Sequence, residues 1–401
     1  MCILFLLVYY TLFRYSSKQK ISNDTNGLYM FDVAIIGAGI NGCSVAYELT
    51  EAGKRVVVFD MNSIAGGGSG AAGAFISPKF SKSGELKELL HEAFLYSMDF
   101  YEKNFPQLLT KAPLLHIAQD EADGAILNEY KKHASLELLT PTQNILNKMN
   151  TSAREQEHVS INAAIVNAEA MCQALCKSAA FVKEKVENLI YDEGSWNINE
   201  EYRAKELVLA TGAYESLLHE PYLQLRGIWG HRIDVKTTTQ NSHSLHQFVS
   251  ISPSQNGVLA IGATHNVHYH PQTSQEPYDI NAGREELLEK ASRTLKLENI
   301  EVVKDYMGLR SGSFDYIPLV GPLVMSGETL QNKKINFYTK KPNYEEYSYY
   351  PNLTMINGNG GYGFVLAPYL AKMLKEYIVS DVKINERLVP ARFFARWAKK
   401  C

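Results

Sequence analysis

The sequence is poor in the features that mark secreted, membrane-spanning or nucleic-acid-coating chains. Its 401 residues include only five cysteines. Cys2, Cys43, Cys172, Cys176 and Cys401 are scattered and odd in number, which excludes a disulfide framework and points to a reduced, cytoplasmic setting. Neither sign of charge is in excess: 40 Lys and Arg stand against 43 Asp and Glu, a formal net charge of -3. Such a balance gives no long-range pull toward a polyanion, so an RNA partner has to be met by a local patch. Long apolar runs are also missing. The longest, MCILFLLVYYTLF at the start, falls short of the roughly 20 residues that span a bilayer and has no basic region before it. Residues 1–29 therefore read as a leader or extension ahead of Met30. A weak anchor, followed by Arg14, Lys18 and Lys20, is the other reading, and membrane contact is not expected. No internal repeat or low-complexity tract is present. No metal site is read, since Cys172 and Cys176 share a helix face without a second pair, and His268 and His270 share an expected strand face without a third ligand.

What the sequence does have is a composition, 45% hydrophobic and 21% charged, that can bury a large core over two structural domains. It also has one highly informative stretch. Residues 31–60, FDVAIIGAGINGCSVAYELTEAGKRVVVFD, read as strand, glycine turn, helix, second strand and terminal acid. In such a unit Gly37 permits the tight turn, Gly39 lets a pyrophosphate approach the backbone, and Gly42 lets the helix pack on the sheet. Helix N–H groups near Ile40 and Asn41, with the positive end of the helix dipole, can then hold the anion. Asp60 is placed to accept hydrogen bonds from ribose hydroxyls. On spacing alone the dinucleotide is FAD or NAD.

The glycine-rich and serine-rich segment MNSIAGGGSGAAGAFISPKF follows, then a helical pattern through ELKELLHEAFLYSMDFYEKNF. Residues 106–160 read as mixed short elements. Short strands ending at Ala210, Thr211 and Gly212 return the chain to the first sheet. GIWGHRIDVKTTT and GVLAIGATHNVHYH, with the helix REELLEKASRTLKL, suit an antiparallel substrate domain. NLTMINGNGGYGFVLAPYLAKMLKEYI is a further strand, glycine turn and helix. A helix starting after Gly363 could stabilise negative charge on a reduced ring, while Gly358, Gly360 and Gly361 let backbone lie against a flat surface. The expected class is α/β: a discontinuous Rossmann-like dinucleotide-binding domain (30–98, 157–222 and 308–380), FAD-binding by the resemblance given next, and a second α+β substrate domain on an antiparallel sheet (99–156 and 223–307). A basic aromatic tail, 381–401, closes the chain.

The 37–42 turn, the GLRSGSFDYIPLVGP segment and the closing GNGGYGFVLAP turn, in this order, resemble FAD-dependent oxidases of the D-amino-acid oxidase and glycine oxidase superfamily. The resemblance runs from residue 30 to the end. Within it, SGAAGAFISPKFSKSGELKELL, LAIGATHNVH and LVPARFFARWAKK are most similar to the oxidase half of the bifunctional enzymes that make methylaminomethyl-thiouridine at the tRNA wobble position. The resemblance implies FAD, held by the first turn together with Ser69, Gly70, Ala71 and Gly73, by Val186 against the adenine, by Gly212, and by the late turn of Gly358, Asn359, Gly360, Gly361, Tyr362 and Gly363. It implies that Arg310 clamps a substrate carboxylate; a guanidinium fork suits that role, and an ion pair with Asp315 is its bland alternative. His265 is the accompanying catalytic candidate, with His231 near the same segments. The implied substrate is carboxymethylaminomethyl-(thio)uridine in tRNA, oxidised at its carbon–nitrogen bond with loss of glyoxylate. Methylation of the product is then left to a separate methyltransferase.

For the RNA, the tail offers Arg387, Arg392, Arg396, Lys399 and Lys400 among Phe393, Phe394 and Trp397, although an amphipathic closing helix explains the pattern as well. The competing functional readings are a flavin oxidase or dehydrogenase of a free small amino acid such as glycine, sarcosine or a D-amino acid, a membrane-associated dehydrogenase feeding quinone, and a flavin-binding partner without catalysis.

Overall fold

A computed structural model describes residues 22–23, 29–81, 83–214, 217–339 and 342–401. The leader reading falls almost wholly outside the described residues. No helix among the described residues is long and apolar enough to cross a membrane.

The first sheet carries, in spatial order, Leu319–Val324, Tyr349–Asn357, Tyr202–Leu209, Tyr29–Ile36, Val56–Asp60 and Ala180–Lys183. All neighbours on this path are parallel except the first pair. Its central strands are unbroken apolar runs, such as Val56 to Phe59 at 0% exposure, because both faces are covered. One face packs against the helices Ile40–Glu51, Glu85–Asn104, Ala168–Cys176 and Gly363–Ser380. The other closes over Trp196, Ile198, Leu323 and Met355.

The second sheet runs Glu301–Ser313, Leu225–Lys236, Val258–Gly262, Ser250–Ile251, Ser244–His246, Leu109–Ile117, His158–Val166 and Phe75–Ile76. It is antiparallel except where Ser244–His246 meets Leu109–Ile117. Alternation decides its faces: Ile233, Val235, Leu245 and Ile261 pack on the Ile280–Thr294 helix, while Gly230, Arg232 and Gly262 look the other way, toward the first sheet. Segment 157–222 thus gives His158–Val166 to this sheet and its remaining strands to the other.

One local expectation resolves differently from the sequence pattern, and the tail takes the amphipathic closing helix that the pattern left open. Regular strand ends at Gly262, a last bridge ties Asn266 to Trp229, and the Asn266 carboxamide oxygen accepts from the N–H groups of His268 (2.9 Å) and Tyr269 (3.0 Å), closing a turn. His268 and His270 therefore share no strand face. The tail forms a helix, Ala391–Ala398, that folds inward: Phe394 is fully buried against Tyr222, Tyr347 and Trp397. Arg392 pairs with Asp315 at 2.9 Å.

Candidate active site

Between the sheets lies a cavity of about 550 Å3, and the first glycine turn builds one end of it. Gly37 sits at φ 108°, and a Cβ there would overlap the Ala210 carbonyl. A Cβ at Gly42 would overlap the Gly37 carbonyl, so the helix approaches the turn this closely only because position 42 has no side chain. The helix has no cap from its own N-cap residue; instead the Ser69 hydroxyl accepts from the Ile40 N–H at 2.9 Å. The Asp60 carboxylate accepts from the N–H groups of Ala38 and Asn62, each at 2.9 Å, which ties the turn to the neighbouring strand end. A carboxylate has about four lone-pair directions, so acceptor capacity remains for a ligand.

The late glycine turn is cross-braced. Asn357 donates to the Gly212 carbonyl (2.8 Å) and accepts from Ser311 Oγ and the Gly358 N–H (both 2.8 Å). The Gly360 N–H donates to the Ser311 carbonyl at 2.7 Å, and Asn359 donates to Asn41 Oδ1 at 2.6 Å. One network therefore joins both glycine turns, the Gly212 turn and the strand that carries Arg310. The Gly363–Ser380 helix starts here without a side-chain cap, and its first residues line the cavity. Its free N–H groups and dipole favour negative charge at that wall.

Arg310 lies across Gly230, where a Cβ would come within 2.6 Å of Nη2, and its guanidinium donates to the Thr264 carbonyl. Asp315 is engaged elsewhere, accepting two bonds from Arg392 at 2.9 and 3.0 Å. Among the described residues no carboxylate lies within ion-pair distance of Arg310. Burial alone pulls its guanidinium below the usual value. A desolvated cation without a counter-ion is costly, and an incoming anion would repay that cost.

Of the residues expected from sequence, Gly37, Gly39, Ile40, Asn41, Asp60, Ser69, Ala71, Gly73, Gly212, Asn359, Gly360, Gly361, Tyr362, Gly363 and Arg310 line this one cavity. Gly42, Gly70 and Gly358 sit behind it, shaping the loops through close approach to Gly37, Ala65 and Ser313. Val186 is buried in the loop after Ala180–Lys183 and does not line it. Neither does His265, which lines a second cavity of about 650 Å3 with His268, Tyr269, Tyr278 and Glu286. Burial, then the charges of Arg310 and Lys290, lowers its pKa. His231, fully buried on the opposite sheet face, bonds to Asp305 at 2.9 Å.

The cavity also contains residues that sequence reasoning missed: Lys79, Phe80, His116, Tyr214, Arg232 and His246. For Arg232 a signal existed, since alternation in GIWGHRIDVK puts it on the face of Gly230. His116 and His246 have none, because they come from distant segments and meet only through strand pairing.

Residues 32–377 match the family described as "DAO: FAD dependent oxidoreductase". The chain is 25% identical over 392 residues to the tRNA 5-methylaminomethyl-2-thiouridine biosynthesis bifunctional protein MnmC of Legionella pneumophila (strain Corby), a match covering 90% of this chain and 57% of that protein. It thus spans little more than half the length of that relative. It is 23% identical over 336 residues to the glycine oxidase of Bacillus licheniformis, covering 73% of this chain and 84% of that one. In structure it resembles glycine oxidase from Bacillus cereus ATCC 14579, with a TM-score of 0.69 at 20% identity over 88% of this chain and 96% of the other. With the family match spanning both glycine turns and Arg310, the chain belongs to the DAO family of FAD-dependent oxidoreductases.

Proposed function

We propose that this protein oxidises the carbon–nitrogen bond of a glycine-like group, and that the group is the carboxymethylaminomethyl side chain of a (thio)uridine at the tRNA wobble position. The product is aminomethyl-(thio)uridine, with glyoxylate released. The observation that carries the reading is Arg310, a half-buried, desolvated guanidinium with no carboxylate within ion-pair distance among the described residues, one residue from the strand segment that braces the late glycine turn.

The cavity fits FAD on its own chemistry. It is long, begins at a glycine turn with open helix N–H groups and a ribose-competent carboxylate, and ends at a second helix start where the Asn359 Oδ1 is buried without a partner. Gly37, Gly39, Ile40 and Asn41 would hold the pyrophosphate, with Gly42 letting the helix approach it, and Asp60 would hold the ribose. Ser69, Gly70, Ala71, Gly73, Gly212 and the Gly358–Gly363 turn would enclose the rest. Bound there, FAD supplies the two-electron acceptor for the oxidation.

The chain's own contribution is orientation and charge. Arg310 grips the carboxylate, while Thr264 and the bare floor at Gly230 fix the guanidinium, so the adjacent methylene is held in one place. The amine enters neutral and loses two electrons and two protons. Water then adds across the carbon–nitrogen double bond, and glyoxylate departs with the methylene carbon and the carboxylate. An RNA-borne substrate is favoured over free glycine by charge. Lys79, Arg232 and Arg310 line the cavity against a single acid, Asp60 at the ribose end, whereas one amino-acid carboxylate needs one clamp. Outside, Arg387 is paired with Glu85 and Arg392 with Asp315, which leaves Arg396, Lys399 and Lys400 exposed for backbone phosphates.

The test is to incubate the flavin-loaded protein with tRNA from cells blocked after carboxymethylaminomethyl formation, and separately with glycine and sarcosine. Appearance of aminomethyl-uridine and glyoxylate supports the proposal; turnover of the free amino acids with untouched tRNA replaces it by the amino-acid oxidase reading, which the similarity to glycine oxidases favours. A methyltransferase added afterwards should accept the product.

A further inference from the structure

The second sheet carries a polar row that neither Arg310 chemistry nor FAD binding uses. Register places His116 opposite His246, His246 opposite Ser250, Ser250 opposite Gly262, Gly262 opposite Arg232, and Arg232 opposite Tyr306. The first five of these residues line the cavity. At strand spacing, the backbones of His246 and Arg232 lie about 14 Å apart along the sheet, floored by the small residues Ser250 and Gly262. The stem of Arg232 lies over Gly262, where a Cβ would come within 2.7 Å of Cγ, and its guanidinium rests on the Tyr306 ring at 3.8 Å.

Three nitrogens of this row are buried without a hydrogen-bond partner: Nδ1 of His116, Nε2 of His246 and Nε of Arg232. Native proteins leave few such atoms, and three in one cavity point to a ligand that completes them. The nearest carboxylate, Asp234, is 3.9 Å from Arg232, too far for a hydrogen bond. Burial, and then the neighbouring His116, holds the His246 imidazole neutral, and burial lowers His116 in the same direction. A neutral imidazole presents an acceptor as well as a donor. Flat apolar walls flank the pair, Phe75 edge-on to His246 at 4.9 Å and Phe80 stacked on His116 at 4.8 Å.

We infer that this row is a subsite for a pyrimidine nucleoside attached through its ring to the glycine nitrogen, with the histidine pair reading the ring's carbonyl and N–H edge and Arg232, across the floor of Ser250 and Gly262, donating to the ribose hydroxyls at the opposite edge. A nucleoside, with a carbonyl and N–H edge at one end and sugar hydroxyls at the other, matches a wall that offers donor-acceptor imidazoles at one end and guanidinium donors at the other, over a floor of small residues. A second carboxylate would satisfy Arg232 and leave both imidazoles unpaired. The inference rests on the proposed oxidation of a glycine-like group and adds what the enzyme reads on the far side of the nitrogen.

The test measures dissociation constants by titration calorimetry of the flavin-loaded protein with 5-carboxymethylaminomethyluridine, as the free nucleoside, and with N-benzylglycine, which has a flat ring without acceptors. The nucleoside should bind about ten- to hundred-fold more tightly. Arg232→Met and His246→Phe should each erase most of that ratio, whereas Arg310→Met should weaken both ligands and preserve it. The two substitutions are independent, so if one variant fails to retain flavin the other decides. A wild-type ratio near one, or a ratio that survives in both subsite variants, overturns the inference. Anaerobic bleaching of the flavin is read in the same samples. Bleaching with a ratio near one sinks the subsite alone, and an intact ratio without bleaching sinks the oxidation reading alone.

Discussion

Replacing Arg310 by methionine should separate function from stability in opposite directions. The side chain keeps an unbranched apolar stem but is shorter and loses the fork. Truncating one partner of a buried, hydrogen-bonded charge pair costs about 2–5 kcal/mol of binding, which at ~1.36 kcal/mol per factor of ten is a loss of about 30- to 5000-fold in kcat/KM for any substrate held by its carboxylate. For the protein without substrate the balance differs. The Thr264 carbonyl loses its partner, a cost of about 1–3 kcal/mol, but the chain no longer desolvates a cation that lacks a counter-ion among the described residues, a relief of several kcal/mol. Arg310→Met should therefore be at least as stable as the parent in urea unfolding of the flavin-free protein, while flavin bleaching by glycine-like acids under nitrogen collapses. A variant that loses ~3 kcal/mol or more of stability and still turns over at the parental rate per flavin would show Arg310 to be a structural ion-pair residue, and the functional reading would fail with it.

Arg392→Met is the mirror experiment: it strips Asp315 of its guanidinium and the Ile317 carbonyl of a donor, so stability should fall by about 1–3 kcal/mol while kcat/KM per bound flavin stays near parental; a larger effect on turnover than on unfolding contradicts this. Gly42→Ala forces a Cβ into the Gly37 carbonyl, and the helix must retreat from the turn. The protein should unfold about 1–3 kcal/mol more easily and purify with little flavin, as absorbance near 450 nm would show. His246 predicts a pH effect. Burial holds its pKa at about 3 in the folded protein against an ordinary 6.5, so between those values the unfolded chain binds the extra proton and stability falls as pH drops. From pH 6.5 to 5 His246→Phe should lose about 2 kcal/mol less stability than the parent, and equal slopes in unfolding titrations would rule the buried neutral imidazole out.

The parts of the site that were legible in the sequence are those whose physics is local. Gly42 meets the Gly37 carbonyl within one strand-turn-helix unit, so the spacing states that geometry, whereas the Ala210 carbonyl that crowds Gly37 comes from a distant strand. Asp60 is readable for the same reason, one strand later, and the late glycine turn repeats the device before Gly363. Arg310 was nameable only through family resemblance. Its seat is made of Gly230 and Thr264, from other strands, and nothing near 310 encodes them. His265 shows the opposite failure. It follows Thr264, whose carbonyl meets the guanidinium, yet that contact is made by backbone alone, and both Thr264 and His265 line the other cavity. In the tail, the interleaved charges and rings resemble an RNA surface, but on a helix that interleaving turns Phe394 inward and leaves Arg396, Lys399 and Lys400 outside.

The polar row on the second sheet extends this distinction. Each member is unremarkable in its own segment: a histidine in LTKAPLLHI, another in SLH, a serine, a glycine and an arginine. Only the register of five strands makes them neighbours, and a slip of one residue in any strand would send its member to the helix-packed face. Burying such a row is costly, because three of its nitrogens go without partners, and apolar residues at these positions would give a more stable sheet. The same face elsewhere is kept smooth by Gly230, Ala260 and Gly308. A fold that spends stability on donors and acceptors at one band, in the same cavity as Arg310, agrees with the proposed substrate, which is larger and more polar than glycine. That expectation separates this chain from an oxidase of free amino acids more sharply than its glycine turns, which both kinds of enzyme need.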